Sequence, residues 1–189
     1  ITDICADLSS SVAGRVLDDD STVLLRFNSG AQGTLQASQI SVGEENSLKL
    51  RVYGETASIE WSQLEPNSLW MKYSNKPSHL IRAGVGKMDA ITQANMRTPA
   101  GHPEGYLEAF ANIYTQFSYQ IRNRLFTDTS DINEAAMKDV PGIESAIRGM
   151  AFIENVVAAS QSELKWHKFS LEPQSITIPS SHTNIRNKA

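Results

Sequence analysis

The hydrophobic pattern of this 189-residue chain changes period once, close to residue 104. Before that point apolar residues alternate with polar ones. After it they recur every three or four positions. A period of two buries one face of a strand and a period near 3.6 one stripe of a helix, so the chain must combine both. In LKLRVY, Leu48, Leu50 and Val52 point one way and Lys49, Arg51 and Tyr53 the other. Ala57, Ile59 and Trp61 repeat the pattern. Strands are expected over 2–8, 22–27, 32–42, 48–53, 57–61 and 69–73, with a short one at 79–82. Asp18-Asp19-Asp20-Ser21 reads as a solvated turn and Asn28-Ser29-Gly30 as a hairpin turn, since Asn and Gly tolerate positive φ. Strands joined by so few residues pair as antiparallel neighbours.

The helical half is equally regular. Leu107, Phe110, Ala111, Tyr114, Phe117 and Ile121 form a stripe that predicts a helix over 104–122. Pro103 suits its first position, and Glu104 meets the positive helix end. A second helix is expected over 143–160. Ile143, Ala146, Ile147, Met150, Ile153 and Val157 line its core side, widened by Phe152 and Val156. A shorter helix is expected at 87–96, a helical turn at 132–137, a strand at 164–169 and an edge strand at 175–178. Strands followed by helices read as an α+β fold: an open, largely antiparallel sheet with helices packed on one face.

Composition narrows the function classes. Seventeen Lys and Arg against 21 Asp and Glu give a charge of −4, which disfavours a phosphate backbone as partner. One cysteine, Cys5, precludes an intrachain disulfide and fits a reducing cytoplasm. No apolar run reaches the roughly 18 residues of a membrane span. The length predicts one domain over 1–169 and a frayed tail over 170–189.

Little self-contained chemistry is visible. Gly84-Val85-Gly86-Lys87 lacks the third glycine of a dinucleotide fingerprint and reads as a loop. His79, His102, His167 and His182 are too scattered for a zinc site. Trp61, Trp70 and Trp166, with Tyr53 and Tyr73, offer a sugar-stacking platform, a protein interface or core packing, and core is expected for at least two tryptophans. The segment TPAGHPEGYLEAF (98–110) is more specific. Prolines and a glycine restrict its loop, and His102, Glu104 and Tyr106 gather an imidazole, a carboxylate and a phenol at a helix start. Two readings stand: these groups bind a polyhydroxylated ligand, or they cap the helix, complement its dipole and pack.

The order of four segments closely resembles the C-terminal domain of the Gfo/Idh/MocA (glucose–fructose oxidoreductase / inositol dehydrogenase) oxidoreductase family. They are LDDDSTVLLRFNSGAQGTLQASQ (17–39), LKLRVYGETASIEW (48–61), AGHPEGYLEAFANIY (100–114) and GIESAIRGMAFIENVVAAS (142–160). The resemblance implies an NAD- or NADP-dependent enzyme acting on a sugar, cyclitol or related polyol. It also implies an N-terminal Rossmann domain, and a homo-oligomer formed through the open sheet face. The family's catalytic lysine lies in an EKP-type motif of the Rossmann domain, and its DxxxH helix precedes a strand like ITDICADL, so both are expected upstream of Ile1. Asn75-Lys76-Pro77 resembles the EKP motif in the wrong domain and is assigned no role. The chain is therefore expected to be the substrate half of an enzyme, with no catalytic, cofactor-binding or metal-binding residue of its own. Arg97, His102, Glu104 and Tyr106 are the expected substrate contacts. The alternative is a non-catalytic carbohydrate-binding, regulatory or dimerisation module on the same fold.

Overall fold

The computed structural model describes residues 1–125 and 140–172. The expected helical turn at 132–137, the edge strand at 175–178 and His182 lie outside the described residues. The α+β class and the antiparallel pairing hold, and the strands divide between two four-stranded sheets. Each sheet belongs to its own compact unit, one made of Ile1–Gly43 with Gly142–Ala189 and the other of Glu44–Pro141.

In the first unit, strands β1 (Asp3–Ser9), β2 (Asp20–Arg26), β3 (Gln32–Ser38) and β8 (His167–Lys168) pair in the order β3-β2-β1-β8. Gly30, at φ +86°, closes the β2–β3 turn and donates its N–H to the Phe27 carbonyl at 3.0 Å. β3 stops at Ser38, short of the expected 42, because β2 begins at Asp20, the partner of Ser38. The Gln39 N–H then bonds the Asp19 carbonyl at 2.7 Å.

Helix α3 (Ile143–Gln161) packs on β1. Ile4, Val23, Val156 and Ala159 form the core, flanked by Ala6, Leu8, Leu25, Phe152 and Phe169. The buried side of α3 is therefore Ala151, Asn155, Val156 and Ala159, while Ile143, Ile147, Met150 and Ile153 stay exposed. This corrects the expected core stripe. Small residues let the helix approach the strand closely, and the larger apolar side is left outward.

Two polar residues complete this core. Asn155 is fully buried: its amide nitrogen donates to the Ala151 and Ser170 carbonyls, each at 2.7 Å, and its oxygen accepts from the Ser170 N–H at 3.0 Å. Asp19 is no solvated turn residue either. It is 3% exposed, and its carboxylate accepts from the Ser11 N–H at 2.8 Å, the Val12 N–H at 3.0 Å and the Arg15 guanidinium at 3.3 Å. The Ser11 N–H foremost, then Val12 and Arg15, outweigh desolvation and hold the carboxyl below its ordinary value.

In the second unit, β4 (Lys49–Tyr53), β5 (Ala57–Ser62), β6 (Ser68–Tyr73) and β7 (His79–Arg82) form a meander in sequence order. The register runs Leu50–Trp61–Leu69–Ile81 across one face and Arg51–Glu60–Trp70–Leu80 across the other. On the polar face Glu60 accepts from Lys72 at 2.6 Å and pairs with Arg51 at 3.5 Å. On the apolar face Leu50, Val52 and Ile81 are exposed. None of the three tryptophans is buried, contrary to expectation: Trp61 Nε1 donates to the Pro66 carbonyl at 3.1 Å, Trp70 is 43% exposed, and the Arg26 guanidinium lies 3.9 Å over the Trp166 ring in the first unit.

Helix α1 (Ala90–Ala94) is shorter than expected and is capped by Asp89, whose carboxylate accepts from the Thr92 N–H at 2.8 Å. Helix α2 (Tyr106–Leu125) begins two residues later than expected. The Gly105 carbonyl accepts its first bond from Ala109, and the Gly105 N–H donates to the Glu108 carboxylate at 2.8 Å. Glu108 thus does the work at the helix start that the sequence suggested for Glu104. The apolar stripe of α2 is outward, with Tyr106, Leu107, Phe110, Tyr114, Phe117 and Ile121 all exposed.

Candidate substrate cleft

The loop between α1 and α2 is held by polar side chains. On α2, Asn112, Thr115 and Gln116 lie at helical spacing. Asn112 donates to the Asn95 carbonyl at 2.7 Å, and buried Gln116 donates to the Asn95 side-chain oxygen at 2.9 Å. The Arg97 guanidinium reaches Asn112 Oδ1 at 2.8 Å and Thr115 Oγ1 at 3.2 Å. The polar side of α2 therefore carries the loop.

Glu104 closes this loop on itself. One carboxylate oxygen accepts from the Arg97 N–H at 2.6 Å, from the Thr98 N–H, and from the Thr98 hydroxyl at 2.8 Å. The Thr98 hydroxyl is also 2.8 Å from the His102 carbonyl, and the His102 N–H donates to the Pro99 carbonyl at 3.1 Å. Partial desolvation pushes the Glu104 carboxyl up, but the donors of Thr98 and Arg97 outweigh it and hold the group below the usual glutamate range.

The β6–β7 hairpin carries the other wall. Asn67, just before β6, grips the backbone of Glu104 with both ends of its amide: Nδ2 donates to the Glu104 carbonyl at 2.7 Å, and Oδ1 accepts the Glu104 N–H at 3.2 Å. Ser68 and Arg82 are cross-strand partners at the hairpin end. Gly84 follows at φ +78°, where an added Cβ would come within 2.9 Å of the Ala100 backbone. Between these walls lies an open cleft of about 180 Å³, lined among others by Asn67, Ser68, Arg82, Thr98, His102 and Glu104.

Gly84→Ala is expected to destabilise the second unit by about 2–4 kcal/mol, through positive φ and overlap with Ala100. Gly86→Ala, at φ +83° in open space, should cost about 1–2 kcal/mol. Equal losses in chemical denaturation would mean that the Gly84–Ala100 contact is absent in solution.

Of the four expected contacts, His102 and Glu104 line the cleft. Arg97 is turned to α2, and Tyr106 is 66% exposed, with its ring 4.6 Å from that of Phe110. Sequence reasoning missed Asn67, Thr98, Ser68 and Arg82. Asn67 fell in the connection between the strands expected at 57–61 and 69–73, and Arg82 was visible only as the end of a short strand. Gly84–Gly86 does not fit a nucleotide: Ala100 occupies the space against Gly84, and no helix starts until Ala90. Lys76 has its Nζ 3.8 Å over the Tyr73 ring, and no three His, Cys, Asp or Glu residues cluster as a metal site among the described residues. No helix among them is long and apolar enough to cross a membrane.

Residues 1–60 match the GFO/IDH/MocA C-terminal domain. The chain thus resembles the C-terminal part of that family's oxidoreductases. It is 32% identical over 170 residues to the uncharacterized oxidoreductase YfiI of Bacillus subtilis (strain 168), a match covering 89% of this chain and 42% of that protein. An oxidoreductase from Sinorhizobium meliloti superimposes with a TM-score of 0.79 at 37% identity, over 88% of this chain and 46% of that one. An inositol dehydrogenase homolog from Azotobacter vinelandii, complexed with NADH and myo-inositol, gives 0.78 at 26% identity, over 89% and 44%. The chain therefore spans less than half the length of these relatives and resembles part of an oxidoreductase.

Proposed function

We propose that residues 1–169 form the substrate-side, C-terminal module of a cytoplasmic NAD- or NADP-dependent oxidoreductase acting on a sugar, cyclitol or related polyol, with 170–189 as a tail. The observation that carries this reading is the Glu104-closed loop that presents His102 at the cleft, in a chain similar to oxidoreductases. The Azotobacter homolog bound to NADH and myo-inositol supports the substrate class. In the parent enzyme the substrate carbinol loses a hydride to the nicotinamide and a proton to a base, both held by a nucleotide-binding domain. This chain binds and orients. His102 offers an imidazole N–H or lone pair to a ligand hydroxyl. Glu104 and Arg97 act through the loop they brace, and the exposed Tyr106 ring adds an apolar face with a hydroxyl beside it.

The parent is expected to reduce NAD or NADP with a sugar or cyclitol, followed by nicotinamide absorbance. The 189-residue chain alone is expected not to quench NADH or NADPH fluorescence. Quenching by the chain alone would contradict the placing of the cofactor on a separate domain, and inactivity of the parent across a polyol panel would favour the binding-module alternative.

Exposed Leu50, Val52 and Ile81 on one sheet face support homo-oligomerisation through that face. Light scattering after size exclusion is expected to give a multimer, and a strict monomer at high concentration would count against it.

A further inference from the structure

We infer that the cleft is built for a polyol bearing an anionic group, a carboxylate or a phosphate, and that Arg82 is the residue that selects it. The inference rests on the substrate-site reading above and names the substrate class.

The charge arrangement carries it. Two full charges of opposite sign line the cleft, Glu104 and Arg82. Glu104 is already answered, with one oxygen taking three donors and the charge facing Arg97. The Arg82 guanidinium has no hydrogen-bond or ion-pair partner among the described residues. Arg122, Arg124 and Arg148 are unpaired as well among the described residues, but of these arginines Arg82 alone lines the cleft; Arg15, Arg26, Arg51 and Arg97 each have a polar or aromatic partner.

Geometry adds to charge. Arg82 and Ser68 are directly opposite across the β6–β7 ladder, so their side chains share a face, with Cβ atoms about 5 Å apart. A guanidinium fork beside a hydroxyl donor suits two oxygens of one planar or tetrahedral anion. His102 on the opposite wall meets the rest of the ligand. A neutral polyol accepts hydrogen bonds from the fork but leaves its charge unmatched.

The test is an amide-detected NMR titration of the 189-residue chain with D-glucuronate, glucose 6-phosphate and D-glucose. One or both anionic sugars are expected to shift Ser68, Ala83 and His102 at least tenfold more tightly than glucose, and the stronger of the two identifies the anion. Arg82→Gln should abolish the preference and leave weak binding of all three, while Arg82→Lys keeps part of it. Unshifted amides of β4 and β5, in the same unit as Arg82 but off the cleft, report that the variants remain folded. Equal affinity for glucose and the anionic sugars, or a preference surviving in Arg82→Gln, overturns the anion inference and leaves the polyol reading intact. Failure of all three to shift the cleft overturns both.

Discussion

Replacing Asn155 with leucine is expected to destabilise the first unit by about 3 kcal/mol, although the substitution is nearly isosteric and puts an apolar side chain in an apolar core. The reason is what the amide leaves behind. Its oxygen takes the Ser170 N–H and its nitrogen serves the Ser170 carbonyl, so both partly buried backbone groups lose their partner beside an apolar side chain. Each buried unsatisfied group costs roughly 1–3 kcal/mol. The Ala151 carbonyl retains a helical bond and adds little. Trp166 is the only tryptophan of that unit, so urea unfolding followed by its fluorescence in a Trp61→Phe/Trp70→Phe background reads the effect directly. A midpoint equal to that of the unsubstituted background would mean that Asn155 does not anchor the segment after β8.

Glu104→Ala is expected to lower kcat/KM of the parent enzyme by about 10- to 100-fold, the range that follows from misplacing a binding group by an ångström. The substitution removes the common acceptor of the Arg97 N–H, the Thr98 N–H and the Thr98 hydroxyl, and frees the turn that holds His102. Glu104→Gln keeps an acceptor at the same point without the charge, and should recover part of the loss. Acid should mimic the substitution. Because the folded carboxyl titrates below its ordinary value, its contribution is complete above the usual glutamate range and is lost as pH falls through the lowered value. The Thr98 amide proton, bonded to a charged acceptor, is expected far downfield. It should move upfield on acidification and in Glu104→Ala. An unmoved Thr98 resonance would show that the loop is not closed by Glu104.

The sequence made the strands readable because they alternate and, β8 apart, pair with their neighbours along the chain. Leu48 to Val52 and Ala57 to Trp61 alternate, and the register pairs Leu50 with Trp61 and Val52 with Ile59. It did not say which side of a helix would be covered. α3 has apolar residues on two sides, and the smaller side, Ala151 with Val156 and Ala159, lies on β1. Burial was decided by how closely the backbones approach, and hydrophobic periodicity does not measure that. The candidate site was legible in the same partial way. The segment around His102 stood out through its restricted backbone. Glu104, next to Pro103, looked like a helix-start residue until its carboxylate turned back to Thr98. Long-range partners such as Asn67, 37 residues from Glu104, leave no local pattern.

The central claim is that the cleft beside His102 is where the parent oxidoreductase holds its substrate. Steady-state kinetics of the parent with His102→Ala tests it most directly. The expected result is a KM for the polyol raised about tenfold or more, with the KM for the nicotinamide cofactor unchanged. Unchanged kcat and polyol KM in that variant would contradict the claim.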